Sequence, residues 1–247
     1  MPIQRISNLM LLLALAIMLL AWTRMDKLPA QLALRSELAN EPAQTETVTA
    51  PFMTRVGGID YSIRPVYDYD LYGLVMSRHD SDTWWDYIHR ETNDHLNVVD
   101  LCVAWSTAAT PEVYRDVRFS NSQWICYVTP VTSEAGARLN MTQISNNHVL
   151  TDNPAIARAL RKVRIGDQIH IRGHLSEYRH NVGMNFARGT STRRDGLGDG
   201  ACETIFVRDF RVLSAGPRTW NQVFYAGLAL LLVFAVIWWK APVGTGD

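Results

Sequence analysis

Two apolar runs, one towards each end of the chain, stand out in the pattern of hydrophobic and polar positions. Leu9 to Trp22 and Val223 to Trp239 contain no charged residue. A helix that crosses the hydrocarbon layer of a membrane needs about 17–25 apolar residues. The second run follows Trp220 and is closed by Lys240, an aromatic and a basic residue of the kind found at membrane interfaces. The pattern therefore predicts a transmembrane helix at each end.

The two runs divide the chain into four predicted segments. These are an N-terminal transmembrane anchor over 1–27, a flexible linker over 28–52, a folded domain over 53–217, and a C-terminal transmembrane helix with a short tail over 218–247. Arg5 precedes the first run as in a bacterial signal anchor, and Trp22 fits a small-residue cleavage site poorly, so we expect an uncleaved anchor. We predict a bacterial inner-membrane protein whose central domain is periplasmic.

Between the two runs, alternating apolar positions predict a mostly β domain. Val56-Gly57-Gly58-Ile59 has the pattern of a hairpin turn, whereas residues 28–51 have no sustained period and indicate a flexible tether. Asn153, followed by Pro154, can cap a helix whose apolar positions recur at helical spacing and which ends at Gly166. The five predicted strands are Tyr67–Arg78, Val98–Trp105, Gln123–Val128, Gln168–Tyr178 and Thr204–Leu213.

Three strands, one helix and two further strands follow one another over Tyr67 to Leu213. This order resembles that of the OB-fold, a small five-stranded barrel whose helix closes one end. The segment Val163 to Gly173, with a turn at Gly166-Asp167, is similar to the entry into the fourth strand of many such domains. The resemblance implies a mainly β fold with one capping helix, an OB-like five-stranded barrel flanked by N- and C-terminal transmembrane helices. A β-sandwich and a general α+β domain are the alternatives.

Two short runs carry a second resemblance. The chain is similar to a proteobacterial membrane-anchored protein family in which runs like Ser145-Asn146-Asn147-His148 and Gly200-Ala201-Cys202-Glu203-Thr204 recur. This resemblance implies membership of a family, with an OB-fold-like domain, and brings no activity with it.

Composition argues against several classes of function. The 247 residues include 24 basic and 24 acidic side chains, so there is no net charge to attract nucleic acid. The chain has no phosphate-binding loop, no G-x-S-x-G elbow and no H-E-x-x-H pair. Cys102, Cys126 and Cys202 lack metal-ligand spacing; an oxidising compartment would allow one disulfide among them, and the sequence does not say which two pair. We expect no metal and no cofactor.

Two long loops carry the residue types of a binding site. In OB-folds, ligands lie across strands two and three, between the loops that join strands one to two and four to five. Here these loops are His79 to Asn97 and Arg179 to Ala201, both long for a compact domain. Aromatic rings on one rim could stack on a sugar, and arginines on the other could clamp an anionic group. The predicted binding residues are Trp84, Trp85, Tyr87, Arg188, Arg193 and Arg194.

The sequence leaves two classes of function open. We expect a binding or assembly module that engages a partner protein or an envelope glycan; its partners are the lipid bilayer and another membrane or periplasmic protein rather than nucleic acid. The competing interpretation is a hydrolase, nuclease-like or glycan-directed, acting between the two loops with Arg188, Arg194, Asp195 and Glu203 as catalytic residues. A plainer alternative has the aromatic residues packing on the domain or the bilayer and the arginines solvated.

Three further patterns are less specific. His79-Asp80-Ser81-Asp82, with His89 and Asp94, offers metal ligands at no recognised spacing. His170 and His174 share one strand face with Arg172 between them, each step of two residues being about 7 Å, and form either a pH-sensitive partner surface or a solvated one. In architecture the chain also resembles haem-handling chaperones of cytochrome assembly, although their flexible C-terminal region corresponds here to a second apolar run.

Overall fold

The computed structural model describes residues 3–183, 185–194 and 202–241. It divides into two compact units, one made of Met1–Lys27 with Pro217–Asp247 and the other of Leu28–Gly216. The helices are α1 (Ile3–Met25), α2 (Ile88–Glu91), α3 (Pro111–Tyr114), α4 (Ser133–Arg138), α5 (Pro154–Arg161) and α6 (Thr219–Lys240). The strands are β1 (Ala43–Glu46), β2 (Phe52–Val56), β3 (Ile59–Asp80), β4 (Asn97–Ala104), β5 (Val117–Ser122), β6 (Ile125–Pro130), β7 (Ile144–Leu150), β8 (Gln168–His180), β9 (Phe186–Arg188) and β10 (Cys202–Ser214).

The first unit is an antiparallel pair of helices, α1 and α6. The ring of Trp22 lies 6.1 Å from that of Phe224, and Gly227 approaches the Ala14 turn. Small residues recur every seven positions along the buried stripe of α1, namely Ser7, Ala14 and Ala21, which lets the helices approach closely. Both helices are long and apolar enough to cross a membrane, with mean hydropathies of 2.2 and 2.0, and most of their side chains are uncovered. The predicted terminal apolar helices are therefore confirmed.

Five strands of the second unit form a closed ring of hydrogen-bonded neighbours. The order is β3, β4, β7, β10, β8 and back to β3. Neighbours are antiparallel except β7 and β10, which are parallel. Outside the ring, β1 and β2 pair with β3, and β9 pairs with β8. Helix α5 separates β7 from β8 in the chain, and Asn153 caps it as predicted, accepting hydrogen bonds from the amides of Ala155 and Ile156.

Alternation along the strands separates the inside of the ring from its outer face. Val99, Leu101 and Val103 of β4 belong to the main apolar cluster. The residues between them, Asp100 and Cys102, therefore point outwards. On that face β4 is covered by the β5–β6 hairpin, and a disulfide joins Cys102 to Cys126 of β6. This decides the pairing that the sequence left open, with Cys202 outside the disulfide.

The predicted third strand is wrong. Gln123–Val128 does not enter the ring; it spans the tip of the β5–β6 hairpin and most of β6. The third ring strand is β7, in which all seven residues are buried. Its central run, Ser145-Asn146-Asn147-His148, has no apolar alternation; Asn146, Asn147 and His148 are instead hydrogen-bonded to groups on β4, to the carbonyl of Trp124 at the tip of the β5–β6 hairpin, and to Arg188. The other four strands and the Val56–Ile59 turn are confirmed.

The segment predicted as a flexible linker is ordered in part. Residues 43–46 form β1 on the edge of β3, and Leu38 is buried in an apolar cluster beside β4. The side chain of Gln168 accepts a hydrogen bond from the amide of Arg35 and donates one to the carbonyl of Ala33. An edge strand held mainly by backbone hydrogen bonds needs no regular pattern of apolar side chains. The sequence of this segment therefore resembles that of a flexible tether.

Candidate functional site

A set of buried polar side chains lies on the outer face of the ring, between the loop that follows β3 and strands β4 and β7. Each has an exposed fraction of 3% or less. Burying polar and charged groups is costly unless they are hydrogen-bonded, so such a set is a candidate functional site. The members, called the buried network below, are His79, Asp86, His89, Asp94, Asn97, Asp100 and His148.

Asp86 occupies one end of the buried network, between two imidazole rings. Its Oδ2 lies 2.6 Å from His79 Nε2 and 2.6 Å from His89 Nδ1, and its Oδ1 accepts the backbone amide of His89 at 3.0 Å. The carboxylate therefore fixes the first turn of α2 against the end of β3.

Trp124, at the tip of the β5–β6 hairpin, holds the middle of the network. Its φ of +66° lies in the left-handed region, which is strained for a bulky residue and persists only where contacts fix it. Its backbone amide donates to Asp100 Oδ2, its indole Nε1 donates to His89 Nε2, and its carbonyl accepts from Asn146 Nδ2, each at 2.8 Å. These three hydrogen bonds set the direction of the indole ring.

The other end of the network is a relay from Asp100 through His148 to Arg188. His148 Nδ1 lies 2.7 Å from Asp100 Oδ1, and Arg188 Nη2 donates to His148 Nε2 at 2.5 Å. Because a guanidinium only donates, His148 Nε2 carries no proton and the imidazole is neutral, with its proton on Nδ1. Arg188, on β9, also lies over the ring of Trp124, with its Cζ 4.3 Å from the ring centroid.

The pKa shifts in the relay agree with this assignment. Burial lowers the pKa of His148, and the positive charge of Arg188 lowers it further, against the opposing effect of Asp100. Burial alone would raise the pKa of Asp100, but its interactions with His148 and Asn97 outweigh burial and hold that pKa well below its usual range. Asp100 is therefore a buried carboxylate, separated from the Arg188 cation by one neutral ring.

Three atoms of the network are close enough to hold a metal ion. One ligand atom each of His79, Asp86 and His89 lies within 4.8 Å of the other two. The second nitrogen of His89, Nε2, however, faces two donors, Trp124 Nε1 at 2.8 Å and Asn97 Nδ2 at 2.9 Å. A neutral imidazole that bound a metal through Nδ1 would carry a proton on Nε2, towards those donors. The donor set fits a hydrogen-bonded His–Asp–His triad and not a metal site.

The other carboxylates of the metal hypothesis, Asp80, Asp82 and Asp94, have partners outside the His79–Asp86–His89 triad. Asp80 pairs with Arg78, with Oδ2 and Nη2 3.3 Å apart. Asp94 accepts a hydrogen bond from the Tyr178 hydroxyl at 2.6 Å, and burial raises its pKa despite this bond. Asp82 lies 3.7 Å from Arg161 at the surface.

The predicted aromatic residues of the first loop form an exposed patch, called the aromatic surface below. Trp84 is 86% exposed, Tyr87 55% and Trp85 45%. The loop that carries them is held from beneath, because Gln123 Oε1 accepts the amides of Tyr87 and Ile88 at 3.1 and 2.8 Å. The ring of Trp85 also lies 4.6 Å from that of His79. The buried network thus links the aromatic surface to Arg188.

The second loop does not gather its predicted residues at one place. Arg188 joins the buried network, whereas Arg194 donates to the carbonyl of Pro42 at 2.6 Å and lies near Glu203. Burial raises the pKa of Glu203 to about 8, although the charge of Arg194 opposes the shift. The backbone of Arg193 belongs to a turn closed by the Ser191 hydroxyl, and Asp195 lies outside the described residues. The arginines of the hydrolase hypothesis therefore serve two separate groups of contacts.

The two histidines predicted to share a strand face both have carboxylate partners. His170 Nε2 lies 2.7 Å from Asp70 Oδ1, and His174 Nδ1 lies 2.9 Å from Asp68 Oδ1. Both pairs join β8 to β3, on the outer face of the ring.

Asp100, Trp124 and His148 are functional-site candidates that the sequence alone did not predict. Asp100 interrupts an otherwise apolar strand, which is a usable signal because an unpaired charge there would be costly. His148 lies in one of the runs that carry the family resemblance. Trp124 gives no signal, since its role depends on a tertiary turn.

Comparison with protein-family models, with curated proteins and with solved structures found no match to this chain.

Proposed function

We propose that this protein is a membrane-anchored binding module with an OB-like domain, which engages a partner protein of the bacterial envelope through the aromatic surface. Two apolar helices that could span a membrane support the anchoring. We further propose that the anchors lie in the inner membrane and that the β domain is periplasmic, since an oxidising compartment suits the Cys102–Cys126 disulfide.

Strand order supports the OB-like assignment. Taken in chain order, the first, second, third, fifth and fourth ring strands follow one another around the ring, and the helix comes between the third and fourth. A five-stranded Greek-key barrel of this kind binds ligands on the face of its second and third strands. That face is the one formed here by β4 and β7, where the buried network lies.

The internal bonding of the network favours binding over catalysis. His79, His89 and His148 each face a carboxylate of the network, and all are at least 97% buried. A general base must reach a substrate proton, directly or through one water. The network therefore acts as a rigid support for the surface above it.

The exposure of Trp84 is the observation that carries the proposal. The indole of Trp84 is 86% exposed and lies beside Trp85 and Tyr87. Its apolar surface is in contact with water although the loop is held in place by the hydrogen bonds to Gln123. Large aromatic side chains on a rigid element are typical of the central contacts of protein interfaces.

Photocrosslinking in the native membrane tests this function. A photoreactive phenylalanine analogue at Tyr87 should give a discrete crosslinked species, and Trp84→Ala with Trp85→Ala should reduce its yield about tenfold or more, because central aromatic contacts each contribute about 2 kcal/mol or more. The control is Tyr127→Ala, which removes a similarly exposed ring from β6.

Equal yields from the double variant and the control would contradict the proposal. Retention of the domain on purified envelope glycan, lost in the double variant and without any crosslinked protein, would assign the surface to a glycan instead. A turnover by the purified chain that Arg194→Ala or Glu203→Ala cut about a hundredfold would favour the hydrolase.

A further inference from the structure

Arg188 has a neutral side chain as its polar partner. Its polar contact is with the unprotonated Nε2 of His148, and among the described residues no carboxylate lies within ion-pair distance of it. Asp100, the ionised acid of the relay, is on the far side of the imidazole, and Asp94, which also interacts electrostatically with Arg188, has a pKa raised by burial. A partly buried cation without an adjacent anion is costly, and an anionic ligand would remove that cost.

The guanidinium is fixed in direction. One face lies over Trp124 at 4.3 Å, and Nη2 is tied to His148. A guanidinium has five N–H donors in one plane, so four remain for a ligand approaching in that plane. This is the arrangement in which arginine binds carboxylate or phosphate with two parallel hydrogen bonds.

The hydrogen bonds that connect Asp100 and His148 to Arg188 also favour an anionic ligand. Since Asp100 accepts hydrogen bonds from Asn97 and Trp124 as well as from His148, its charge is already compensated locally. It therefore orients His148 without neutralising Arg188. The strained φ of Trp124 is maintained by the same contacts, so the stacking platform is formed before any ligand arrives.

We propose that Arg188, stacked on Trp124 and held by His148, is an oxyanion-binding site that recognises a phosphate or carboxylate group of the ligand. The inference rests on the proposed function, because it names the charged group recognised on the face next to the aromatic surface. Phosphate can come from a soluble ligand or from a lipid headgroup, and the site would bind the oxyanion of either.

Fluorine NMR of the full chain tests the site. The eight tryptophans are replaced by 5-fluorotryptophan in protein held in a neutral detergent, and the Trp124 signal is identified with Trp124→Phe. Titration with inorganic phosphate, or failing that with acetate, should shift the Trp124 signal saturably, whereas chloride at equal ionic strength should not. Arg188→Gln should abolish the shift, and Arg188→Lys should weaken binding about tenfold, because lysine lacks the planar fork.

Arg172→Gln is the matched control, since it removes an exposed arginine from the outer face of β8 and should leave binding unchanged. A phosphate-independent shift in nanodiscs of phosphatidylglycerol, absent in phosphatidylcholine, would identify a lipid headgroup as the source. No saturable shift of Trp124, or an equal shift in Arg188→Gln, would overturn the proposal. If Arg188→Gln fails to fold, the test is Arg188→Lys: unweakened phosphate binding in that variant would overturn the proposal. If the wild type does not bind phosphate but still gives the crosslink at Tyr87, the oxyanion site is refuted and the proposed function is not.

Discussion

At the scale of single residues, two buried carboxyl groups are held in opposite protonation states. Asp100 accepts hydrogen bonds from Asn97, Trp124 and His148, and its interactions with His148 and Asn97 keep its pKa well below the usual range despite complete burial. Glu203, on β10, is also buried but has one oxygen, Oε2, without a hydrogen-bond partner among the described residues. Burial therefore dominates and raises the pKa of Glu203 to about 8.

Replacing Glu203 with glutamine should remove a pH dependence of stability. In the unfolded chain the carboxyl loses its proton near its ordinary pKa of 4.5, whereas the folded protein keeps it until about pH 8. Between these values the folded state binds more protons, so the free energy of unfolding falls as the pH rises, by up to about 1.4 kcal/mol per pH unit. Thermal unfolding from pH 5 to pH 8.5 should show a falling Tm for the wild type and a flatter profile for Glu203→Gln.

Glu46→Gln, an exposed change on β1, should retain the slope of the wild type. The account of Glu203 fails if Glu203→Gln and the wild type lose stability in parallel as the pH rises. It also fails if the variant is less stable than the wild type at pH 8.5, where the glutamate would carry a buried charge.

At the scale of elements, the β5–β6 hairpin connects the five-stranded ring to the loop that carries the aromatic surface. The disulfide from Cys102 to Cys126 fixes the hairpin on β4, and its tip residues Gln123 and Trp124 then contact the loop and the network. The aromatic surface is therefore ordered by an element that is distant from it in the sequence.

Removing the side chain of Gln123 should loosen the loop without disturbing the ring. Gln123→Ala leaves the amides of Tyr87 and Ile88 without their acceptor, which costs about 1–3 kcal/mol where those amides are buried. Hydrogen exchange of residues 81–92 should accelerate by about tenfold or more, while exchange in β4 and β8 stays slow.

Gln143→Ala is the matched control, because Gln143 Oε1 accepts from Thr107 Oγ1 and the amide of Ala108 in a different loop. It should accelerate exchange near Ala108 and not near Tyr87. Unchanged exchange in residues 81–92 of Gln123→Ala would show that the hairpin tip does not hold the loop.

The same elements show what could be predicted from the sequence. The strand predicted over Val98–Trp105 and the start of the Asn153-capped helix follow from local period and capping and are confirmed, whereas the helix ends at Arg161 and not at the predicted Gly166. Strand β7 could not be found this way, because the polar side chains of Asn147 and His148 are buried through bonds to other strands. The aromatic surface could be predicted from one loop, whereas the Trp124–His148–Arg188 geometry arises only when three distant segments meet.

At the scale of the whole molecule, two units of different character share one chain. The β unit is continuous, Leu28–Gly216, and the helical unit is assembled from the two terminal segments. In the helical pair Trp22 lies against Phe224 and Met18 lies against Gly227, so the two helices run in opposite directions side by side. If both cross a membrane, the segments before α1 and after α6 lie on one side and the β unit lies on the other.

Reporter fusions at two positions should give opposite results. Alkaline phosphatase, which is active only after export, should be active when fused after Gly216 and inactive when fused after Asp247, and a green fluorescent reporter should show the reverse. The expected pattern follows from two spans that each cross the bilayer once, α1 before the first fusion point and α6 between the two. The full chain should also remain in the membrane fraction after a carbonate wash. An inactive phosphatase at Gly216, or release of the chain by carbonate, would mean that the β unit does not face the periplasm from a two-helix anchor.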